Sequence, residues 1–297
     1  MRKITFIINP ISGTLNKDVL PQLIKKQLAP ADVSYEILYT KYAGHAKEIA
    51  IQKAVEGVDV VVAIGGDGTV NEVASGLIHT QTALGIIPCG SGNGLARHLH
   101  IPLEIEEALR LLVVGSIRDI DYGLINKELL FFCSCGVGFD ALVSWKFAQS
   151  PSRGFLTYVN IALRENFQYH AESYHIQTDE GQEFQQDAFV IACGNASQYG
   201  NDAFIAPKAS VQDGRMDLTI IHPIRLVDVP LLSYQLFNKS IHHNERTRTL
   251  RCRKVRIIRQ DKGPLHYDGE PVMAPKELEI EIIPSGLLVL TPPEARI

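Results

Sequence analysis

One stretch decides the fold of this sequence: Val60-Val61-Val62-Ala63-Ile64-Gly65-Gly66-Asp67-Gly68-Thr69-Val70-Asn71-Glu72-Val73. It begins as an unbroken apolar run, which is typical of a strand buried on both faces of a sheet. The run passes directly into glycine, aspartate and threonine, after which helical periodicity begins. Glycine lets the backbone approach a ligand closely, and amides exposed at the start of a helix bind phosphate oxygens. The stretch therefore predicts a strand, a phosphate-binding loop and a helix, in that order.

Asp67 is an unusual residue among amides that bind phosphate, because its charge would repel the ligand. A cation that bridges the two negative groups would explain it, and magnesium is that cation in phosphoryl transfer. The alternative is a tight turn in which Thr69 or Asp67 caps the following helix.

Two further loops of this kind follow predicted strands. Pro88-Cys89-Gly90-Ser91-Gly92-Asn93-Gly94 follows the strand Ala83–Ile87, and Asn9-Pro10-Ile11-Ser12-Gly13 follows the first strand. We expect the two glycine-rich loops to face each other across one crevice. Neither the GxxxxGK[ST] nor the GxGxxG pattern is present, so the common nucleotide-binding folds do not explain these loops.

Strands and helices alternate over the first 120 residues. The predicted strands are Ile4–Ile8, Tyr35–Tyr39, Val58–Ile64 and Ala83–Ile87, and the predicted helices are 17–28, 43–56, 69–79 and 104–114. Alternation of this kind implies a mostly parallel sheet with crossover helices. We therefore predict an α/β domain over residues 1–122, and the tail, about 288–297, is a candidate to return to it.

The pattern changes in the second half. Asn126-Lys127-Glu128 and Asp179-Glu180-Gly181 each lie between β-prone runs and predict hairpin turns. The predicted strands are 129–136, 172–178, 184–193, 216–221, 250–259 and 277–283, and the predicted helices are about 153–169 and 226–237. We therefore predict a second, mainly antiparallel β-rich domain over residues 123–287.

Composition limits the class of protein. The 297 residues are 45% hydrophobic and 21% charged, with a formal net charge of −4, which gives no reason to expect nucleic acid as a partner. The cysteines form no CxxC pair, so we expect reduced thiols and no zinc site: Cys89, Cys133, Cys135, Cys193 and Cys252. No stretch resembles a signal peptide or approaches the roughly 18 apolar residues of a membrane span. We expect a cytoplasmic protein, and its oligomeric state stays open.

Motifs in a fixed order extend over nearly the whole chain: Asn9-Pro10 with Ser12-Gly13, Gly65-Gly66-Asp67-Gly68-Thr69 with Asn71-Glu72, Gly90-Ser91-Gly92-Asn93, Ile120-Asp121-Tyr122-Gly123, Asp213-Gly214, and Asp268-Gly269-Glu270-Pro271. This set resembles the diacylglycerol kinase catalytic family. That family includes bacterial soluble lipid kinases, sphingosine kinases and ceramide kinases, and is distantly related to NAD kinases. The resemblance implies an NAD-kinase-like first domain, ATP and Mg²⁺ as cofactors, and a lipid substrate met transiently at the membrane surface.

The resemblance also assigns roles to residues of the first domain. The nucleotide phosphates would be held by Gly65, Gly66, Asp67, Gly68, Thr69, Val70, Asn71 and Ser91. Asn9 and Thr40 would lie beside the nucleotide. The alternative for Thr40 is a polar residue that ends the strand Tyr35–Tyr39.

In the second half, Glu270 would be the general base that accepts the proton of the attacking hydroxyl. The alternative is that Asp-Gly-Glu is only a hairpin turn. Asp121 would lie near Asp67 and the magnesium, or else is a solvated carboxylate at a strand end. A structural magnesium would be held by Ser210, Asp213 and Arg215, in a segment that also fits a plain turn before a strand.

By the same resemblance the acceptor would be a lipid hydroxyl, most directly that of diacylglycerol or a related lipid. Gly90-Ser91-Gly92-Asn93-Gly94 departs from the GTxND form of bacterial diacylglycerol kinases and is closer to sphingosine kinases, which keeps a sphingoid base open. An NAD-kinase-like enzyme on a soluble substrate and a nucleotide-binding protein without catalysis are further alternatives.

Two segments have two interpretations each. Residues 239–262 contain nine Lys or Arg and only two acidic residues, Glu245 and Asp261. This excess of positive charge fits either a solvated edge strand or a patch that is attracted to anionic lipid headgroups. The apolar stripe of the predicted helix at 153–169 either packs into a core or forms a wall of an acyl channel.

Overall fold

The structure is a computed structural model of the chain, and it describes residues 2–12, 17–151, 155–166, 168–295 and 297. Gly13 of the first loop and residues 152–154 at the start of a predicted helix lie outside the described residues. The chain divides into two compact units, Met1–Ile120 with Ser285–Ile297, and Asp121–Pro284.

The first unit is built on parallel strands. Its strands are β1 (Arg2–Ile8), β2 (Val33–Tyr39), β3 (Val60–Gly65) and β4 (Ala83–Pro88). They are hydrogen-bonded in the order β2-β1-β3-β4, and all three pairings are parallel. The end of the chain also lies here, since Val289 pairs in parallel with Leu84 of β4. Every residue of β3 is buried, which confirms the prediction of a strand covered on both faces, and every residue of β4 is buried as well.

Helices connect these strands: α1 (Leu20–Leu28), α2 (His45–Val55), α3 (Asp67–Leu77), α4 (Gly94–His98) and α5 (Ile105–Val114). Each follows the predicted alternation of strand and helix. The α/β first domain with a mostly parallel sheet is thus confirmed.

Within its described residues, the second unit consists of antiparallel strands with three α-helices. Its first strand, β5 (Ser116–Ile125), begins in the first unit, and its last, β16 (Glu277–Thr291), ends there. The strands between them are β6 (Leu129–Phe131), β7 (Ser134–Gly138), β8 (Glu172–Thr178), β9 (Glu183–Ala188), β10 (Val190–Gly194), β11 (Met216–Ile221), β12 (Thr247–Cys252), β13 (Lys254–Ile258), β14 (Gly263–Tyr267) and β15 (Glu270–Ala274). The helices are α6 (Phe139–Ala148), α7 (Phe155–Asn166) and α8 (Val229–Phe237).

Six strands of this unit form one sheet in the order β12-β11-β10-β7-β14-β15, and every pairing in it is antiparallel. A second group pairs β9 with β8, β8 with β13, and β13 with the start of β16, again antiparallel. Side chains from both groups meet in one buried core. The prediction of a mainly antiparallel second domain is confirmed, as are the hairpins at 126–128 and 179–181.

Three predicted strands are wrong as single elements. The segments 129–136, 184–193 and 250–259 are each divided into two strands, β6 and β7, β9 and β10, and β12 and β13. The two halves of each pair belong to different sheets. A chain that passes from one layer of a two-sheet core to the other stays apolar while it bends. Periodicity alone therefore shows one continuous run.

Candidate functional site

The three predicted loops of the first unit follow neighbouring parallel strands. Asn9 follows β1, Gly66 follows β3 and Cys89 follows β4, so the loops lie at the same edge of the sheet. The Asn9 side-chain amide donates to the Thr69 hydroxyl over 3.1 Å. Thr40 follows β2 directly, and its amide donates to the Ile8 carbonyl over 2.9 Å.

The two glycine-rich loops touch through their backbones. A Cβ built on Gly90 would lie 2.6 Å from the Gly66 Cα, closer than real Cβ contacts come. A Cβ on Gly65 would lie 2.5 Å from the Thr69 hydroxyl. Glycine is therefore required for the two loops to pack this closely.

Asp67 joins the same two loops. Its carboxylate accepts the amides of Asn93 (3.0 Å) and Gly94 (2.7 Å), where α4 begins. The Asn93 side chain closes its own loop, accepting from the Gly90 amide and donating to the Gly90 carbonyl. Asp67 thus caps a helix, which is the role that the alternative of a tight turn gave it. The helix that it caps is α4, however, and not α3, the helix that begins at Asp67 itself.

The other predicted phosphate-binding residues lie close by in the chain. Gly68, Thr69, Val70 and Asn71 form the first turns of α3, and Thr69 is buried. The Val70 amide donates to the Gly66 carbonyl, so the helix begins directly after the glycine pair. Ser91 is exposed in the second loop.

Lys17 is a residue that sequence reasoning missed. The residue is buried, and its ammonium group donates to the carbonyls of Asn9 and Ser12, and to the Ser12 hydroxyl over 2.7 Å. Burial lowers the pKa of Lys17, and the nearby Cys89 acts in the opposite direction. No spacing pattern connects Lys17 with Asn9, so only the path of the chain reveals this contact.

Glu72 also has a role that the motif alone does not show. Its carboxylate accepts the amides of Gly44 (2.8 Å) and Ala46 (3.1 Å) at the start of α2. Glu72 therefore holds the segment that follows Thr40.

In the second unit, the structure brings two predicted motifs together. The buried Asp121 carboxylate accepts the Gly214 amide over 2.7 Å, and the Asp121 amide donates to the Val211 carbonyl over 2.6 Å. The Asn195 side chain donates to the Asp121 carbonyl over 3.0 Å. Asp121 is thus a buried, hydrogen-bonded residue and not a solvated carboxylate.

Ser210, Asp213 and Arg215 lie in one turn, and each makes a local contact. Asp213 accepts the Arg215 amide over 3.0 Å, and Ser210 accepts the Gln212 amide over 3.3 Å. The Asp213 carboxylate is also ion-paired with Arg251. Among the described residues, no group of three or more His, Cys, Asp or Glu side chains could hold a metal ion. The role of the three residues as metal ligands stays a prediction.

Glu270 is exposed at the start of β15, just after a tight hairpin. Asp268 and Gly269 both have positive φ, +47° and +84°, as the central residues of a type I′ turn require. The Asp268 carboxylate accepts three amides, those of Phe132, Cys133 and Ser134, over 2.8 to 3.1 Å. Asp268 therefore anchors the hairpin and fixes where the Glu270 backbone lies.

His266 of the same hairpin belongs to a buried polar cluster that the sequence analysis did not predict. The Asp140 carboxylate is 2.7 Å from the Tyr199 hydroxyl and 3.0 Å from His266 Nε2. A Cβ on Gly136 would lie within 3.0 Å of both Asp140 and His266, so glycine makes room for the pair. No sequence signal connects Asp140 with His266, which are 126 positions apart.

Most of the basic residues in 239–262 have acidic partners. Arg246 pairs with Asp228, Arg251 with Asp217, Arg253 with Glu281, Lys254 with Glu279, and Arg256 with Glu277. Arg259 is buried and donates to backbone carbonyls. β12 is an edge strand, as the first interpretation of this segment expects.

The predicted acyl-channel wall corresponds to α7. The side chains of Phe155 and Leu156 lie outside the described residues, and Leu163 is exposed. Burial raises the pKa of the Tyr158 hydroxyl, with a smaller contribution from Asp140. The role of this helix as a wall stays a prediction.

The five cysteines are free and buried. No helix among the described residues is long and apolar enough to cross a membrane.

Two family models match the chain. The diacylglycerol kinase catalytic domain matches residues 3–125, and the YegS C-terminal NAD kinase beta sandwich-like domain matches residues 133–291. A relative from Yersinia enterocolitica, described as "Probable lipid kinase YegS-like", is 30% identical over 92% of both chains. A relative from Pectobacterium atrosepticum with the same description is 31% identical over 84% of both chains.

Solved structures show the same fold. One, described as a diacylglycerol kinase from Bacillus anthracis, has a TM-score of 0.75 at 21% identity, covering 99% of this chain and 98% of that one. Yeast NADH kinase has a TM-score of 0.52 at 14% identity, covering 98% of this chain and 83% of that one. By its matched domains and its relatives, the chain belongs to the family of YegS-like lipid kinases, phosphotransferases with an alcohol group as acceptor.

Proposed function

We propose that the protein transfers the γ-phosphate of Mg-ATP to the hydroxyl of diacylglycerol or a closely related lipid. The observation that carries this proposal is the backbone contact between Gly66 and Gly90, with Asp67 bonded across it. The contact lies at one edge of a parallel sheet, where α/β sheets bind their ligands, and its glycines let a ligand approach the backbone closely. Side chains at the contact would fill the space that a phosphate group needs.

The nucleotide would be held by the loops of the first unit. Amides of Gly65 to Asn71 and the Ser91 hydroxyl would donate to phosphate oxygens, and Asn9 and Thr40 would lie beside the nucleotide. Lys17 donates to the carbonyls of Asn9 and Ser12 and holds the Asn9–Ser12 turn in place. When bound, magnesium would neutralise charge on the phosphates. Asp67 and Asp121 are the carboxylates that we propose for it, since oxygen ligands suit this ion.

Glu270 would accept the proton of the attacking hydroxyl. Its exposure at the start of β15 leaves the carboxylate accessible, and the three bonds of Asp268 hold the turn that carries it. A base must be positioned within hydrogen-bond reach of the hydroxyl, so a rigid turn is a suitable support.

The acceptor separates the candidate functions. ATP consumption is measured with diacylglycerol in mixed micelles, a sphingoid base in the same micelles, NAD, and no acceptor. We expect turnover with diacylglycerol above the rate without acceptor. Turnover with the sphingoid base alone would favour that substrate, and turnover with NAD alone would overturn the lipid assignment.

A single substitution tests the base. Glu270→Gln keeps the shape of the side chain and removes the proton acceptor, so kcat is expected to fall by roughly 10²-fold or more. The Kd for ATP should stay within a few-fold of wild type, because the phosphate loops belong to the first unit. Glu128→Gln, in another exposed hairpin turn of the second unit, is the matched control. If Glu270→Gln leaves kcat unchanged, the base is elsewhere, with Asp121 the next candidate.

A further inference from the structure

Helix α8 and the 3-10 turn before it, Leu226–Asp228, expose apolar side chains on one face. The exposed fraction is 75% for Val227, 55% for Leu231 and 64% for Tyr234, and it is 58% for the adjacent Leu226. Val227, Leu231 and Tyr234 follow the spacing of one helix face. Exposed apolar residues on a globular surface are normally scattered singly, so a contiguous set indicates an interaction surface.

The opposite side of α8 packs firmly on the second unit. Leu232 is buried, and Leu236 packs against the same cluster, which contains Val190 and Ala192 of β10. The Phe204 amide donates to the Leu236 carbonyl over 2.9 Å. The helix is thus apolar on both sides although only one side meets the core. The exposed side is not explained by folding of this unit.

Basic residues lie at both ends of α8. At its start, Arg225 and Arg246 share the single carboxylate of Asp228, at 3.4 and 2.9 Å. Residues 229–244 contain no Asp or Glu. At the end of the helix, the Lys239 ammonium lies 4.5 Å from the centre of the Phe204 ring. The pKa of His242, just after the helix, is lowered by burial and, to a smaller extent, by the charges of His243 and Lys208.

We propose that this surface, the α8 face, formed by Val227, Leu231 and Tyr234 with Arg225 and Lys239 at its ends, docks on an anionic phospholipid bilayer. The apolar side chains enter the boundary between headgroups and acyl chains, and the cations meet lipid phosphates. The proposal rests on the proposed function, because an enzyme that phosphorylates a membrane lipid must reach the bilayer surface.

The first test is cosedimentation with vesicles of phosphatidylcholine, with and without phosphatidylglycerol. The double variant Leu231→Gln with Tyr234→Gln should lower the partition onto anionic vesicles by about tenfold or more. Polar substitutions at exposed helix positions are tolerated, so the fold should persist. Val55→Gln is the matched control, since Val55 is 85% exposed at the end of α2 in the first unit. It should bind vesicles as the wild type does.

A second variant reports contact directly. Tyr234→Trp adds an indole to the α8 face, while Trp145 of α6 serves as the reference in the parent protein. Brominated lipids in the vesicles should quench the added fluorescence and leave that of the parent protein largely unchanged. Equal quenching in both proteins would overturn the proposal.

Turnover separates this proposal from the proposed function. The double variant should lose turnover on diacylglycerol in vesicles but retain it on a short-chain analogue dissolved as monomers. Vesicle binding that depends on the α8 face without any lipid turnover would support the surface and overturn the proposed function. Unchanged vesicle binding by the double variant would overturn the surface. If the only effect of the double variant is to convert a dimer into monomers, the α8 face joins two copies of the chain. That result would also overturn the proposal of a bilayer-docking surface.

Discussion

Carboxylates that accept backbone amides recur at single positions in the predicted motifs of each unit. Asp67 accepts two amides from the start of α4, Glu72 accepts two from the start of α2, and Asp268 accepts three from residues 132–134, where β7 begins. Hydrogen bonds to a charged acceptor contribute more than neutral ones, and a buried donor left without a partner is costly. These residues therefore combine a structural role with any role in chemistry.

Asp67→Ala should lower both turnover and stability. We expect kcat to fall by at least about tenfold, because phosphoryl transfer depends on positioning and electrostatics. Two amides at α4 also lose their acceptor, which should cost about 2 kcal/mol of the free energy of unfolding. Asp59→Ala is the control, since Asp59 accepts one amide, that of Lys3, at 2.7 Å. If Asp67→Ala destabilises the protein but keeps turnover, Asp67 is only a cap.

His98 should make stability depend on pH. It is buried at the end of α4, and burial, with a smaller effect from His100, lowers its pKa from 6.5 to about 4. Below pH 6.5 the unfolded chain takes up a proton that the folded protein does not, so stability falls as pH drops towards 4.

The full loss from this one residue is roughly 3 kcal/mol. Urea unfolding on both sides of that pH range measures it. His98→Leu should remove this part of the pH dependence, whereas His170→Leu, at an exposed position, should not. An unchanged pH profile in His98→Leu would mean that other groups cause the loss.

At the scale of elements, the contact between the loops after β3 and β4 is the tightest constraint on the site. Gly65 pairs with Pro88 in the register of the two strands, so the following loops start side by side. The backbone of one loop then lies against that of the other, and the geometry of the phosphate site depends on both.

Gly90→Ala should therefore weaken nucleotide binding. Its Cβ would meet the Gly66 backbone, which cannot rotate away as a side chain can. Overpacking of this kind costs about 1–3 kcal/mol, and we expect the Kd for ATP to rise by roughly tenfold or more. Calorimetric titration measures it.

Gly181→Ala is the control for Gly90→Ala. Gly181 has φ +82° and open space around its Cβ position. Alanine there should cost about 1 kcal/mol of stability through the backbone alone, with no change in ATP affinity. Equal losses of affinity in both variants would show that the effect on Gly90 is one of general stability.

At the scale of the whole molecule, charge is distributed as local pairs. The net charge is −4, and the basic segment 239–262 is largely matched by carboxylates of the second unit. Exposed pairs contribute little to stability, but they cancel the field that a lipid surface would meet. Near the α8 face, by contrast, Arg225 and Arg246 share one carboxylate, that of Asp228.

Lys254→Gln combined with Arg256→Gln should change vesicle affinity less than Lys239→Gln alone. The first two cations lie 2.8 and 2.7 Å from Glu279 and Glu277, whereas Lys239 belongs to the α8 face. Cosedimentation with anionic vesicles at low and high salt measures both effects. The reverse order would favour the interpretation of 239–262 as the lipid-binding patch.

What the sequence determined by itself is local. The passage from β3 through Gly65-Gly66-Asp67-Gly68-Thr69 into α3, and the hairpin at Asp268-Gly269, depend on residues a few positions apart. Periodicity, glycine conformation and turn chemistry act over that range, so they can be read directly.

Only the tertiary structure decided which distant groups meet. Asp67 reaches amides 26 and 27 positions away, Asp121 reaches an amide 93 positions away, and Asp140 reaches His266 across 126 positions. The division of three apolar runs between two sheets is of the same kind. These contacts depend on the path of the chain through a shared core, and local propensity carries no information about that path.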